Sequence, residues 1–151
     1  MICSNTKLVS MKNYTWNLSL KSLVVICSLL LLSSCAKKLH FATSTVVPAA
    51  EGTVKYKKDN NGNYAIDAKI YNLADPKNLT PPKNAYVLWM STQQNGVRNL
   101  GQINSSSGLF SSKLKASLEA VSPFKPRSFF ITAEDNPAVT YPGPQVVLTT
   151  R

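Results

Sequence analysis

Ala85-Tyr86-Val87-Leu88-Trp89-Met90 is the stretch that decides the fold of this chain. It is a short, continuous apolar run, with a polar and proline-containing segment before it and the turn-forming residues 93–96 after it. Runs of this length and composition are typical of a strand that is buried within a sheet. We therefore expect a central strand, with Val87 and Trp89 pointing into the core between two sheets.

The segment before this strand predicts a β-hairpin. Apolar and polar residues alternate from residue 54 to 57 and again from residue 64 to 71, as they do in half-buried strands. Between these segments, Asn61-Gly62 supplies the positive φ angles that a tight turn requires. The turn also carries side-chain oxygens like those of a calcium loop, but its glycine does not follow Asn63 and no Glu closes the loop. We expect a turn here and no cation site.

Further short strands are predicted at residues 97–104, 109–114, 128–133 and 145–150. The proline-rich residues 73–84 are expected to form a long loop. Residues 115–121 are interpreted as a short helical or turn segment, in a pattern too brief to assign. Seven or eight short strands, separated by segments rich in Pro, Gly and Asn, are typical of antiparallel sandwiches. The sequence therefore predicts an all-β fold over residues 51–151, an immunoglobulin-like or fibronectin-like sandwich.

An apolar segment at residues 21–35 predicts export from the cytoplasm. It begins with Lys21 and continues through a run rich in leucine and valine. The run is shorter than the about 18 apolar residues of a membrane span and is interrupted by serines, so we interpret it as the helix of a cleaved secretory signal. Met11 is the expected start, because a signal counted from Met1 exceeds the usual length of about 15 to 30 residues.

The end of this segment, Leu32-Ser33-Ser34-Cys35, resembles the lipobox of bacterial lipoproteins. The resemblance implies that residues 1–34 are removed and that Cys35 carries a diacylglyceryl group on sulfur and a fatty acid such as palmitate on nitrogen. Ala36, in place of Asp, implies sorting to the outer membrane, facing the periplasm or the cell surface. Residues 35–50 would then be the lipidated cysteine and a flexible tether, with an edge strand at residues 43–47 as the alternative.

The charge balance of the chain is basic. It has 17 Lys and Arg residues and 7 acids, and three of the basic residues precede Cys35, so that 14 cations face 7 acids beyond it. The tightest cluster is Lys55, Lys57 and Lys58, which alternates with apolar residues as the solvated face of a strand does. We expect no nucleic-acid partner, and we expect attraction to anionic lipid or polysaccharide.

The supply of chemically reactive side chains is small. Of the three cysteines, Cys35 alone lies beyond the leader, so no disulfide can form within residues 35–151. His40 is the single histidine, and we expect neither a zinc site nor a cofactor. Glu134-Asp135 is expected to start a turn, because adjacent residues on a strand point to opposite faces and cannot flank one bond. We predict no catalytic residues and no enzymatic activity.

Two classes of function remain. In the first, the domain docks on another, unidentified envelope protein through a sheet edge or a loop. In the second, it binds a glycan through exposed aromatic rings. The candidate glycan-binding residues are Tyr64, Tyr71, Tyr86 and Tyr141.

Four short segments between residues 86 and 148 follow a recognisable order. They are Tyr86-Val87-Leu88-Trp89, Phe129-Phe130-Ile131-Thr132-Ala133-Glu134, Pro142-Gly143-Pro144 and Val146-Val147-Leu148. Together they resemble the extracytoplasmic C-terminal domain of anti-sigma-K factors. The family's sigma-binding helices and membrane span have no counterpart here, and Asp135-Asn136 replaces its usual Gly-Gly. The resemblance therefore implies a sensor-like outer sandwich and no sigma-factor partner.

Overall fold

The computed structural model describes residues 36–106 and 115–151. These residues form β-strands and one short 3-10 helix, Pro76–Asn78. The strands are β1 (Lys37–His40), β2 (Glu51–Lys58), β3 (Tyr64–Tyr71), β4 (Ala85–Thr92), β5 (Val97–Gln102), β6 (Asn104–Ser106), β7 (Lys115–Ser122), β8 (Pro126–Glu134) and β9 (Val146–Thr149). The predicted leader, the lipobox and the predicted strand at residues 109–114 lie outside the described residues.

The strands form two sheets in which all hydrogen-bonded neighbours are antiparallel. The first sheet has the order β1-β2-β3-β7-β6 and the second the order β5-β4-β8-β9. Val54 and Ile66 of the first sheet are buried in one cluster with Leu88 and Phe129 of the second. The rings of Tyr56 and Phe129 meet across the two sheets with 5.8 Å between their centroids. The prediction of an all-β antiparallel sandwich is thus confirmed.

The predicted hairpin is formed by β2 and β3, which residues 59–63 connect. Gly62 has a φ of 87°, in the left-handed region that side chains disfavour. One carboxylate oxygen of Asp59 accepts hydrogen bonds from the backbone amides of Asn61 and Asn63, each at 2.9 Å. This carboxylate oxygen therefore stabilises the turn.

One predicted strand is divided between the two sheets. The sequence predicts a single strand at residues 97–104, whereas β5 belongs to the second sheet and β6 to the first. Between them, buried Ile103 donates its backbone amide to the carbonyl of Tyr86 at 2.9 Å. The chain stays extended while it changes partners, so the residue pattern does not mark the crossing.

β7 replaces the short helix or turn suggested for residues 115–121, and that interpretation is wrong. Its residues include Ala, Ser, Leu and Glu, which have no strong preference for strands. β7 nevertheless pairs with β3 over its whole length, from Lys115 opposite Tyr71 to Ser122 opposite Tyr64. Long-range pairing, which a local pattern does not contain, therefore determines its structure.

The segment that precedes β2 is part of the folded domain. β1 pairs with β2 of the first sheet, and the chain then continues beside β9 of the second sheet, where Phe41 bridges Thr150. The hydroxyl of Ser44 donates to the carbonyl of Val147 at 2.6 Å. Phe41 and Val47 are buried. The N-terminal segment thus closes one side of the sandwich by pairing first with one sheet and then with the other.

The predicted flexible tether is therefore wrong for residues 36–50, and so is the domain boundary at residue 51. The edge strand lies at β1 and not at residues 43–47. Small, polar and basic residues dominate this segment and are also typical of linkers. The signal for order is the spacing of Leu39, on β1, and Phe41, directly after β1, which both pack into the core. The segment is too short to show a longer alternation.

Candidate functional site

Trp89 lies on the outer face of the second sheet. Its neighbours Leu88 and Met90 belong to the core between the sheets, and successive side chains of a strand point to opposite faces. Trp89 is nevertheless 0% exposed. Its ring stacks on that of Phe130 with 6.2 Å between centroids, and its Nε1 donates to Thr132 Oγ1 at 2.7 Å.

The prediction that Val87 and Trp89 point between the sheets is wrong. Every residue from 85 to 90 is buried, so the pattern holds no sign of which face is inward. The pairing of β4 with β8 decides the question, because Leu88 lies opposite Ile131 of the core. Both faces of β4 are covered, one by the first sheet and the other by a loop.

The covering loop is formed by residues 135–145, between β8 and β9. Asn99, which lies opposite Trp89 on β5, donates from its side-chain amide to the carbonyls of Pro137 and Val139 at 3.0 and 2.8 Å. These bonds hold the loop beside the indole ring, on the face that would otherwise meet solvent. Full burial of Trp89 follows from this loop.

Glu134 ties the covering loop to the polar edge of the indole. β8 ends at this residue, and its carboxylate oxygen Oε1 accepts bonds from Thr132 Oγ1 at 2.5 Å and from the Gly143 amide at 2.7 Å. A Cβ atom on Gly143 would lie 2.7 Å from Glu134 Oε2, too close for any other residue type without displacement. The chain Trp89–Thr132–Glu134–Gly143 is therefore a structural network.

The four candidate tyrosines do not share a surface. Tyr64 and Tyr71 are the first and last residues of β3, and their odd spacing places them on opposite faces. Tyr141, on the covering loop, is 81% exposed, whereas Tyr86 is only 4% exposed. The prediction of an exposed ring is therefore wrong for Tyr86, and these residues cannot form one stacking platform.

A cavity of about 530 Å³ opens at the end of the sandwich opposite the start of β1, and we call it the distal cavity. Its volume falls within the range of about 300 to 1,000 Å³ that is usual for small-molecule sites. Apolar, amide and charged side chains all contribute to its lining. The lining includes Leu73, Asp75, Lys77, Asn84, Tyr86 and Gln102.

The hydroxyl of Tyr86 is the unsatisfied polar group of the distal cavity. It is buried and has no hydrogen-bond partner among the described residues. Burial, and to a smaller extent the carboxylate of Asp75, raises the pKa of Tyr86 to about 12. A buried polar group without a partner costs about 1–3 kcal/mol, which a ligand atom bonded to it would recover. Sequence reasoning missed this site, because residues far apart in the chain form it.

Comparisons with protein-family models, with curated proteins and with solved structures gave no match for the chain. Within residues 36–106 and 115–151, no group of three or more His, Cys, Asp and Glu side chains is arranged to hold a metal ion. No helix in the same ranges is long and apolar enough to cross a membrane. His40 is exposed on β1, and Cys35 precedes the first described residue.

Proposed function

We propose that this protein is a bacterial lipoprotein, anchored by Cys35 to the outer membrane, whose sandwich binds another envelope component without catalysis. The observation that carries the proposal is Leu32-Ser33-Ser34-Cys35 directly before a folded domain. Only Ala36 separates this cysteine from β1. Cleavage before Cys35 would thus leave the lipidated residue as the start of the domain.

The finer fold assignment rests on two features. The N-terminal segment leaves the first sheet and continues beside β9 of the second. An edge segment that changes from one sheet to the other in this way is a feature of sandwiches with immunoglobulin-like connections. The segments that resemble the outer domain of anti-sigma-K factors correspond to β4, β8, the covering loop and β9 in that order. These features support an immunoglobulin-like, sensor-type domain, and they support no sigma-factor partner.

Replacing Cys35 with Ser tests the anchor. Serine lacks the thiol that accepts the diacylglyceryl group, so Cys35→Ser should abolish incorporation of an alkyne fatty acid in labelled cells and leave an uncleaved precursor. Cys27→Ser is the matched control, because Cys27 lies in the apolar run outside the lipobox and its loss should leave labelling unchanged. Label retained by Cys35→Ser, or lost equally in both variants, would refute the assignment.

A second candidate function is the binding of a small polar ligand, such as a saccharide, in the distal cavity. The unpaired Tyr86 hydroxyl favours it, since a saccharide presents hydroxyl groups that both donate and accept. The side-chain amides of Asn84 and Gln102 line the same cavity and supply further donors and acceptors. This site differs from the predicted platform, because Tyr86 would contribute its hydroxyl and not an exposed ring face.

Tyr86→Phe tests the distal cavity. The variant removes the hydroxyl and keeps the ring, so it should weaken binding of envelope saccharide fragments by about tenfold, the loss expected for one hydrogen bond of about 1.4 kcal/mol. It should also raise the free energy of unfolding without ligand, because no unpaired hydroxyl stays buried. Calorimetric titration measures the first effect and urea denaturation the second. Equal affinity of both proteins for every fragment bound would contradict this function.

Alkaline denaturation tests whether the Tyr86 hydroxyl is buried as described. Its pKa lies near 12 in the folded chain and near 10 in the unfolded chain, so between these pH values the unfolded chain loses the hydroxyl proton while the folded chain keeps it. The free energy of unfolding should therefore fall by about 1.4 kcal/mol per pH unit as the pH rises from 10 to 12. The Tyr86→Phe variant should lack this part of the alkaline loss of stability.

A further inference from the structure

The end of the sandwich from which β1 starts has an unusual charge distribution. The registers place Lys37 opposite Tyr56 near the end of β2, and Thr92 of β4 opposite Pro126 at the start of β8. The β2–β3, β4–β5 and β7–β8 turns therefore lie at this end together with the start of β1. We call this end the base.

The base is strongly basic. All of its cations are exposed, and none has an ion pair among the described residues, where the pairs are Lys69 with Asp67 and Lys83 with Asp135. The single acid of the three turns is Asp59, and one of its oxygens already accepts two backbone amides. The cations of the base are Lys37, Lys57, Lys58, Arg98, Lys125 and Arg127.

The base cations of β1 and β2 belong to the first sheet, and two contacts link the cations of the second sheet to the β7–β8 turn. The guanidinium of Arg98, on β5, lies 5.0 Å from the ring centre of Phe124 in the β7–β8 turn. Lys125 and Arg127 line one surface depression with Gln94 of the β4–β5 turn. The positive charge thus covers an end of the molecule that both sheets share, and it is not confined to one strand.

The opposite end of the sandwich has a different balance of acidic and basic side chains. Around the distal cavity and the neighbouring strand ends, Glu51, Asp75 and Asp135 are exposed together with Lys77 and Lys115. Lys83 is neutralised there by Asp135, with 2.7 Å between Nζ and Oδ2. Charge is therefore distributed unevenly between the two ends of the sandwich, and the excess of cations lies at the base.

We infer that the base is a docking surface for an anionic phospholipid bilayer. Ala36 precedes β1 directly, so a lipidated cysteine at position 35 is two residues, at most about 7 Å of chain, from Lys37 at the start of the base. The base cations then lie within about one Debye length, 8–10 Å, of the headgroups. Anionic headgroups complement six cations and one acid, whereas neutral ones do not. The placement rests on the proposed anchor, but the charge complementarity does not.

Vesicle binding by residues 36–151 tests this surface without the anchor. Both sheets, their core and the covering loop lie within this part of the chain, which belongs to one compact unit, Cys35–Arg151. It should float with vesicles of phosphatidylcholine and phosphatidylglycerol, and not with phosphatidylcholine alone. Added salt should release it. Equal binding to both kinds of vesicle, or to neither, would overturn the inference.

Substitutions of single lysines distinguish vesicle binding by the base from attraction caused by the net charge of the whole protein. Lys57→Ala should weaken binding to the anionic vesicles about fivefold, and Lys57→Ala with Lys58→Ala about 25-fold. Lys77→Ala is the matched control, because it removes the same charge from the distal end and should leave binding unchanged. An equal effect of Lys77→Ala, or preference for a soluble anionic polysaccharide over the anionic vesicles, would refute the assignment. Failure of Cys35 labelling would leave this result unaffected, so the two proposals fail separately.

Discussion

A tryptophan buried on the outside of a sheet depends on the loop that covers it. Trp89 contributes a large apolar surface, and its Nε1 is satisfied by Thr132. The covering loop is in turn held by Glu134 and Asn99 through bonds to its backbone. Packing and loop structure are therefore coupled at this residue.

Trp89→Ala should lower the free energy of unfolding by about 3–5 kcal/mol. The truncation leaves a void beneath the covering loop and removes the hydrogen bond to Thr132. Urea denaturation of residues 36–151 measures the loss. Tyr141→Ala is the matched control, because this aromatic ring is 81% exposed and its removal should change stability by less than about 0.5 kcal/mol. A wild-type midpoint for Trp89→Ala would show that the indole is not packed as described.

At the scale of elements, the N-terminal segment is the one whose structural role differs most from the role that its sequence predicts. Phe41 bridges β9 while β1 pairs with β2, so a single short segment borders both sheets. The backbone amides of Val46 and Val47 donate to the hydroxyl of Ser44 at 3.1 and 2.9 Å and close a turn there. A segment with this many fixed contacts stabilises the edge of the sandwich.

A chain that begins at residue 49 should therefore be much less stable than residues 36–151. It loses β1 and the buried side chain of Phe41, and truncating one buried Phe typically costs about 3–5 kcal/mol. Phe41→Ala in the longer chain separates the loss of packing from the loss of strand pairing. Thermal denaturation of the three proteins measures both. Equal midpoints for the shorter and longer chains would show that the segment is a free linker after all.

For the whole molecule, the sequence predicts the class of fold well. It predicts poorly which side chains of a strand point inward and which strands pair. The hairpin and the strands β8 and β9 are visible because alternation and turn residues are local properties. The inward face of β4, the division between β5 and β6, and the pairing of β7 depend on contacts between distant residues, which no local pattern contains. The distal cavity and the base belong to the same category, because each combines groups from several turns or strand ends.

Only Ala36 separates Cys35 from β1 in the sequence, and under the proposed lipid anchor this short connection would limit how far the domain can reach. β8 has nine residues, and at about 3.3 Å per residue the sandwich is about 30 Å long. If Cys35 is lipidated as proposed and its chains are in a bilayer, the domain would have almost no slack with which to move away from the headgroups. Its distal end would stay at a nearly fixed height, and its encounters would be restricted to molecules that diffuse in or enter that thin layer.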